Sequence, residues 1–97
     1  MCGIHGFTWR NREEISKMMK ISEVRGPDGE GKYIDDNISL GHNLLAITED
    51  AKCSEQPWTI DENRIMCYNG EIYNYNDFGD YKSDGECLIP LYKEYGA

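Results

Sequence analysis

With 97 residues the chain has room for one small domain and not for two. Ten Lys and Arg against eighteen Asp and Glu leave a net charge of −8, which removes the basic footprint of a nucleic-acid binder and makes an anionic membrane surface an unfavourable partner. The excess acid is concentrated: residues 1–48 carry 6 bases and 7 acids, and residues 49–97 carry 4 and 11.

Taken in chain order, Cys2 to Thr8 is small and apolar and reads as a buried strand. No basic leader segment precedes it, and no apolar run anywhere reaches the ~18 residues of a membrane span, so a cytoplasmic location is expected. Asn11 and Glu14 have capping-box spacing, and Ile15, Met18 and Met19 form an apolar stripe, so a helix is predicted over 12–24, ended by Gly26-Pro27. Arg25-Gly26-Pro27-Asp28-Gly29 has turn composition. Lys32–Asp35 and Ile38–Ile47 read as a hairpin around Asp35-Asp36-Asn37, Glu49–Asn63 as a polar loop, and Arg64–Tyr68 as a strand closed by the Asn69-Gly70 turn. Ser83 and Glu86 have capping-box spacing again, followed by Leu88, Leu91, Tyr92 and Tyr95 at helical intervals and a Gly96 stop. Pro90 inside that pattern requires a kink or a late start. The predicted order is β-α-β-β-β-α.

Cys2, Cys53, Cys67 and Cys87 are expected as thiols in a reducing compartment, and their spacings of 51, 14 and 20 contain no Cys-x-x-Cys. Neither a metal site nor a cofactor is expected. Cys2 is distinctive because removal of Met1 would place a thiol and a free α-amine on one residue. An α-amine titrates near ~7.7–8.0 and an ordinary thiol near ~8.5, so the first can take the proton of the second at neutral pH. Alone, a Cys at position 2 reads more readily as a small buried hydrophobe.

The surrounding residues change that reading. Cys2-Gly3-Ile4, Arg25 to Gly29, Leu40-Gly41-His42, Gln56-Pro57, Asn69-Gly70-Glu71-Ile72-Tyr73-Asn74 and Ser83-Asp84 occur in this order. Together they resemble the N-terminal glutaminase domain of class II glutamine amidotransferases, most closely the asparagine-synthetase type. The resemblance implies an α+β fold of the N-terminal-nucleophile αββα kind; residues 1–97 are expected to form its first half, and the later strands and the synthetase domain of the family are a departure, expected to be missing. It also implies a reaction in which Cys2 attacks the side-chain amide of glutamine, ammonia leaves, and water hydrolyses the thioester. Asn69, by its side-chain amide, and Gly70, by its backbone N–H, match the oxyanion hole that such acyl transfer needs. Glu71 and Asp84 match the acids that bind the substrate ammonium. Without the match, Asp84 would read as a helix-start residue and Glu71 as a solvated charge.

One position departs from the pattern. The family places an Arg that grips the substrate carboxylate two residues after the His of Leu-Gly-His, and here that residue is Leu44. Arg25, Lys52 and Arg64 are the cations considered as replacements, with a substrate that lacks a carboxylate as the alternative. His42 matches the family segment, and both it and His5 read as structural. A half-built sandwich exposes sheet edges and an apolar face, so a homo-oligomer or a complementing chain is expected. Two other functions stand beside glutaminase: a non-catalytic interaction or regulatory module, and a hydrolase of a primary amide without an α-carboxylate.

Overall fold

The computed structural model describes residues 2–45 and 56–96. Its elements are β1 (Gly3–Phe7), α1 (Arg12–Ile21), β2 (Gly29–Ile34), β3 (Ser39–Leu44), β4 (Trp58–Asp61), β5 (Arg64–Met66) and α2 (Leu88–Tyr95). The mixture of helix and antiparallel strand is α+β. β1, β3 and β2 form one sheet with β3 in the centre, and β4 and β5 form a second. Met1, Lys52, Cys53 and the predicted strand end at residues 46–47 lie outside the described residues, as do residues 49–55 of the predicted loop.

Helix α1 starts as its sequence dictates, with the Asn11 side chain accepting from the Glu14 N–H at 3.0 Å. Ile15 and Met19 are wholly buried, whereas Met18, the third member of the stripe, is 36% exposed. The predicted helix over 12–24 is shorter than expected: α1 ends at Ile21 and a 3-10 turn, Glu23–Arg25, leads to Gly26. The hairpin turn is held by Asp35, whose carboxylate accepts from the N–H groups of Asn37 and Ile38. The Asn37 bond above all, with the Tyr33 hydroxyl, the Ile38 bond and the neighbouring Arg10, holds the Asp35 carboxyl below its usual value against desolvation, the second-largest influence.

Two expectations are corrected. Within the predicted polar loop, Trp58–Asp61 is a strand paired with Arg64–Met66. Its side chains favour a pleated surface, and Asp61 closes the turn by accepting from the Asn63 N–H at 2.8 Å. At the C-terminal helix the Ser83 side chain makes no cap hydrogen bond; Asp84–Cys87 is a 3-10 turn and α2 begins only at Leu88. Pro90 consequently falls in the first turn of α2, where its missing N–H has no intrahelical acceptor to lose. Gly96 ends α2 at φ 76°, its N–H bonded to the Tyr92 carbonyl at 2.7 Å.

The alternation of β3 organises the layers. Ser39, Gly41 and Asn43 face α1 and its connection to β1. Ser39 Oγ donates to the Trp9 carbonyl and accepts from the Asn11 N–H, both at 2.9 Å. Asn43 Nδ2 donates to the Met19 carbonyl at 3.2 Å, while its Oδ1 lies 3.1 Å from His5 Nε2. A Cβ at Gly41 would lie 2.5 Å from the Met19 sulfur, so the absence of a side chain there is what lets α1 approach. Leu40, His42 and Leu44 face the other way, towards β4, β5 and the segment that follows.

Gly41→Val is expected to destabilise the protein by ~1–3 kcal/mol through overpacking against Met19 and Ile15. In a domain of this size that is a fall in Tm of about 4–8 °C per kcal/mol, measurable by calorimetry. A second prediction concerns His42, which is fully buried. Desolvation is the main cause that lowers its pKa, opposed by the bond to Tyr68 and assisted by His5. The unfolded chain therefore binds a proton more readily. The corresponding stability is complete above the unfolded value of ~6.5 and is lost as pH falls through the depressed folded value. Urea unfolding from pH 7 to 5 should show this loss, and His42→Gln should flatten it.

Candidate active site

A cavity of about 590 Å³ opens between the end of β3 and the chain that follows β5. Cys2, Asn69, Gly70, Glu71 and Asp84, the five residues singled out from sequence, all line it. They come from three separate stretches of chain, so their convergence is a product of the fold.

Cys2 reaches the cavity because β1 pairs with β3 in the register Gly3↔Asn43 and Ile4↔His42. Its sulfur accepts from the Leu45 N–H at 3.3 Å and is half-buried. Cys67 differs, since burial pushes its thiol up to about 11. Cys87 is raised too, by burial first and then by the charge of Asp84. Both are therefore held as thiols at neutral pH.

Asn69 meets Cys2 directly: its Nδ2 donates to the Cys2 carbonyl at 3.1 Å. An amide nitrogen carries two hydrogens, so one remains for a second acceptor. The segment bearing Asn69 is fixed from behind by two side chains that sequence reading had left without a role in the site. His42 Nε2 lies 3.2 Å from the Tyr68 carbonyl, and because a carbonyl only accepts, Nε2 carries the hydrogen. Gln56 Oε1 accepts from the Tyr68 N–H. His42 Nδ1 is buried and has no partner among the described residues, so the structural histidine expected there is only partly satisfied.

Gln56 is itself wedged. The backbone of Gly31, on the cavity face of β2, passes so close to the Gln56 carbonyl that a Cβ there would overlap it. The Gln56-Pro57 pair thus has a mechanical meaning that the sequence motif did not reveal: it ties the first sheet to the residue before Asn69.

Asp84 Oδ2 accepts from the Ile72 N–H at 2.7 Å and from the Tyr68 hydroxyl at 3.2 Å. Burial and the Asp84 charge push the Tyr68 phenol up to about 12, so it remains a donor. Gly70 lies beneath the Tyr68 ring, where a Cβ would come within 3.1–3.2 Å of it. Glu71 is exposed at the rim.

Of the cations considered as replacements for the absent Arg, two are placed elsewhere. Arg64 pairs with Asp61 at 2.6 Å and lies 5.7 Å from the centre of the Tyr92 ring, beside a different cavity. Arg25 closes the 3-10 turn after α1 and does not line the site. Leu44 does line it and is 5% exposed, an aliphatic wall. Lys82 also lines the cavity, and its position two residues before Asp84 was the sequence signal that could have found it. Among the described residues no group of three or more His, Cys, Asp or Glu is placed to hold a metal ion, and no helix is long and apolar enough to cross a membrane.

The chain matches the family model described as a glutamine amidotransferase domain across residues 1–97. It is 34% identical to asparagine synthetase B (glutamine-hydrolysing) of Escherichia coli strain K12, over 88% of this chain and 17% of that protein. It is 30% identical to asparagine synthetase (glutamine-hydrolysing) 1 of Arabidopsis thaliana, over 100% of this chain and 19% of that protein. A protein of Gibberella zeae named amidase chry2 is 33% identical, over 87% of this chain and 14% of its own length. The chain spans between 14 and 24% of the length of the curated relatives it matches. It belongs to the glutamine amidotransferase domain family, of the kind found in asparagine synthetases.

Proposed function

We propose that this chain hydrolyses the side-chain amide of glutamine, with Cys2 as nucleophile and ammonia as the released product. The observation that carries the proposal is the convergence of Cys2, Asn69, Gly70, Glu71 and Asp84 on one cavity, with the Asn69 amide already bonded to the Cys2 backbone. With Met1 removed, the α-amine of Cys2 takes the thiol proton as sulfur attacks the amide carbon. The oxygen that becomes negative is met by the remaining Asn69 amide hydrogen and the Gly70 N–H. The carbon–nitrogen bond then breaks, the α-ammonium returns its proton to the departing nitrogen, and ammonia leaves a thioester. Water adds to the thioester carbonyl, the carbon–sulfur bond breaks, glutamate is released, and a proton from the water restores the thiol.

The layered arrangement is in keeping with the N-terminal-nucleophile sandwich. Helix α1 covers one face of the three-stranded sheet, and residues of β4 and β5 share a cavity with Leu40 and Tyr33 on the other. A second reading, hydrolysis of a primary amide without an α-carboxylate, is favoured by the buried Leu44 where a cation was expected and by the relative named as an amidase.

Cys2→Ala should abolish ammonia release from glutamine, and Asn69→Ala should lower kcat about 100- to 1,000-fold, equivalent to ~3–4 kcal/mol of lost transition-state stabilisation. Both are read by coupled ammonia assay on material whose intact mass shows Met1 to be absent. Equal release from wild type and Cys2→Ala would end the proposal. Glutamine outperforming simple primary amides would end the second reading.

A further inference from the structure

Glutamine is a zwitterion, so a site that binds it needs an anion for its α-ammonium and a cation for its α-carboxylate. The acidic half of that requirement is supplied by Asp84 and Glu71, and acids alone would repel the carboxylate. Leu44 offers no charge, and Arg25 and Arg64 lie outside the cavity. Among the described residues, Lys82 is the only cationic side chain that lines it. Lys82 makes no ion pair with another of the described residues.

Backbone geometry puts Lys82 on the same side of the chain as Asp84. Ser83, between Lys82 and Asp84, is extended at φ −136° and ψ 155°. An extended residue directs its two neighbours to the same side. The side chains of Lys82 and Asp84 thus leave the backbone on the same side, and both line the cavity. Asp84 commits Oδ2 to the Ile72 N–H and the Tyr68 hydroxyl, which anchors the carboxylate and leaves Oδ1 as the oxygen for an ammonium.

We infer that Lys82 is a specificity-determining residue, supplying for the substrate α-carboxylate the cation that Leu44 does not, and acting with Asp84 as an amino-acid clamp. This rests on the glutaminase reading for the identity of the ligand, but not on catalysis. Lys82 is exposed, so its replacement does not disturb the core. A lysine is a flexible point charge and gives one contact where a guanidinium gives two. The clamp is therefore sensitive to salt, because its cation faces water.

The test is binding of L-glutamine and of L-glutaminamide, in which the carboxylate is replaced by a neutral amide, to the full chain carrying Cys2→Ala. Titration calorimetry should show Lys82→Met weakening glutamine about ten- to a hundredfold, with less than a twofold change for glutaminamide and recovery of glutamine binding in Lys82→Arg. In the chain with Cys2 intact, the loss should fall on KM for glutamine rather than on kcat. Equal weakening of both ligands would make Lys82 structural and overturn the inference, as would unchanged glutamine affinity or no glutamine binding to the parent protein. Failure of Cys2 to release ammonia, with the selective loss still seen in the Cys2→Ala protein, would overturn the reaction and leave the clamp standing.

Discussion

Pairing of β1 with β3 is the constraint on which the site depends. The first residues of a chain are ordinarily its least ordered, because few contacts hold them. Here Gly3 pairs with Asn43 and Ile4 with His42, and the Cys2 sulfur takes the Leu45 N–H at 3.3 Å. A nucleophile that carries its own base has to sit at a chain end, and a chain end has to be immobilised before it can face a substrate carbonyl. On the proposed reading of Cys2 as nucleophile, the central strand meets the second condition, since β1 is the edge partner of β3 and Cys2 is the residue immediately before β1.

The opposite wall is held by a buried polar network. His42 from β3 and Gln56 grip the carbonyl and the N–H of Tyr68, while the Tyr68 hydroxyl reaches Asp84. Three contacts on one residue fix the direction of the two that follow, Asn69 and Gly70. Such a network stabilises only when its members are satisfied, and removal of one partner leaves a desolvated group behind. His42 is the weak point because its Nδ1 is buried and unpartnered among the described residues. Protonation there would add a charge and a donor in a place that offers no acceptor. The same side chain that orients the site therefore links its integrity to pH.

Local chemistry was legible in the sequence where one residue type has one local use. Asn11 as a cap, the Asp35 turn and Gly96 as a helix stop follow from hydrogen-bonding capacity and backbone freedom alone, and each is seen. β4 was not legible, because Trp58-Thr59-Ile60 is a short β-prone run within polar flanks and its partner is needed to define it. The Ser83 spacing misled for a related reason: a capping box describes a helix that starts at once, and Pro90 together with the 3-10 turn moves the start to Leu88. The five residues that share the cavity were singled out by their order along the chain. What held them, from Gly31 against Gln56 to His42 against Tyr68, depends on contacts between distant segments that no local pattern encodes.

On the proposed glutaminase reading, charge would favour an amino acid over a simple amide in a cavity of this composition. The second half of the chain carries most of the −8 net charge, and Glu71 and Asp84 bring part of it to the cavity. A neutral amide gains little from that field, and an acid without an ammonium is repelled by it. A zwitterion is favoured only if its two charges are separated correctly, one towards the acids and the other away from them or onto a cation. On the proposed glutaminase reading, attraction to these acids would draw in the α-amino end of the substrate and leave its side-chain amide to reach Cys2 on the same cavity. Selection by charge at one end and chemistry at the other requires both ends to be held by a rigid frame, and that frame is the central strand with the clamp it forms on Tyr68.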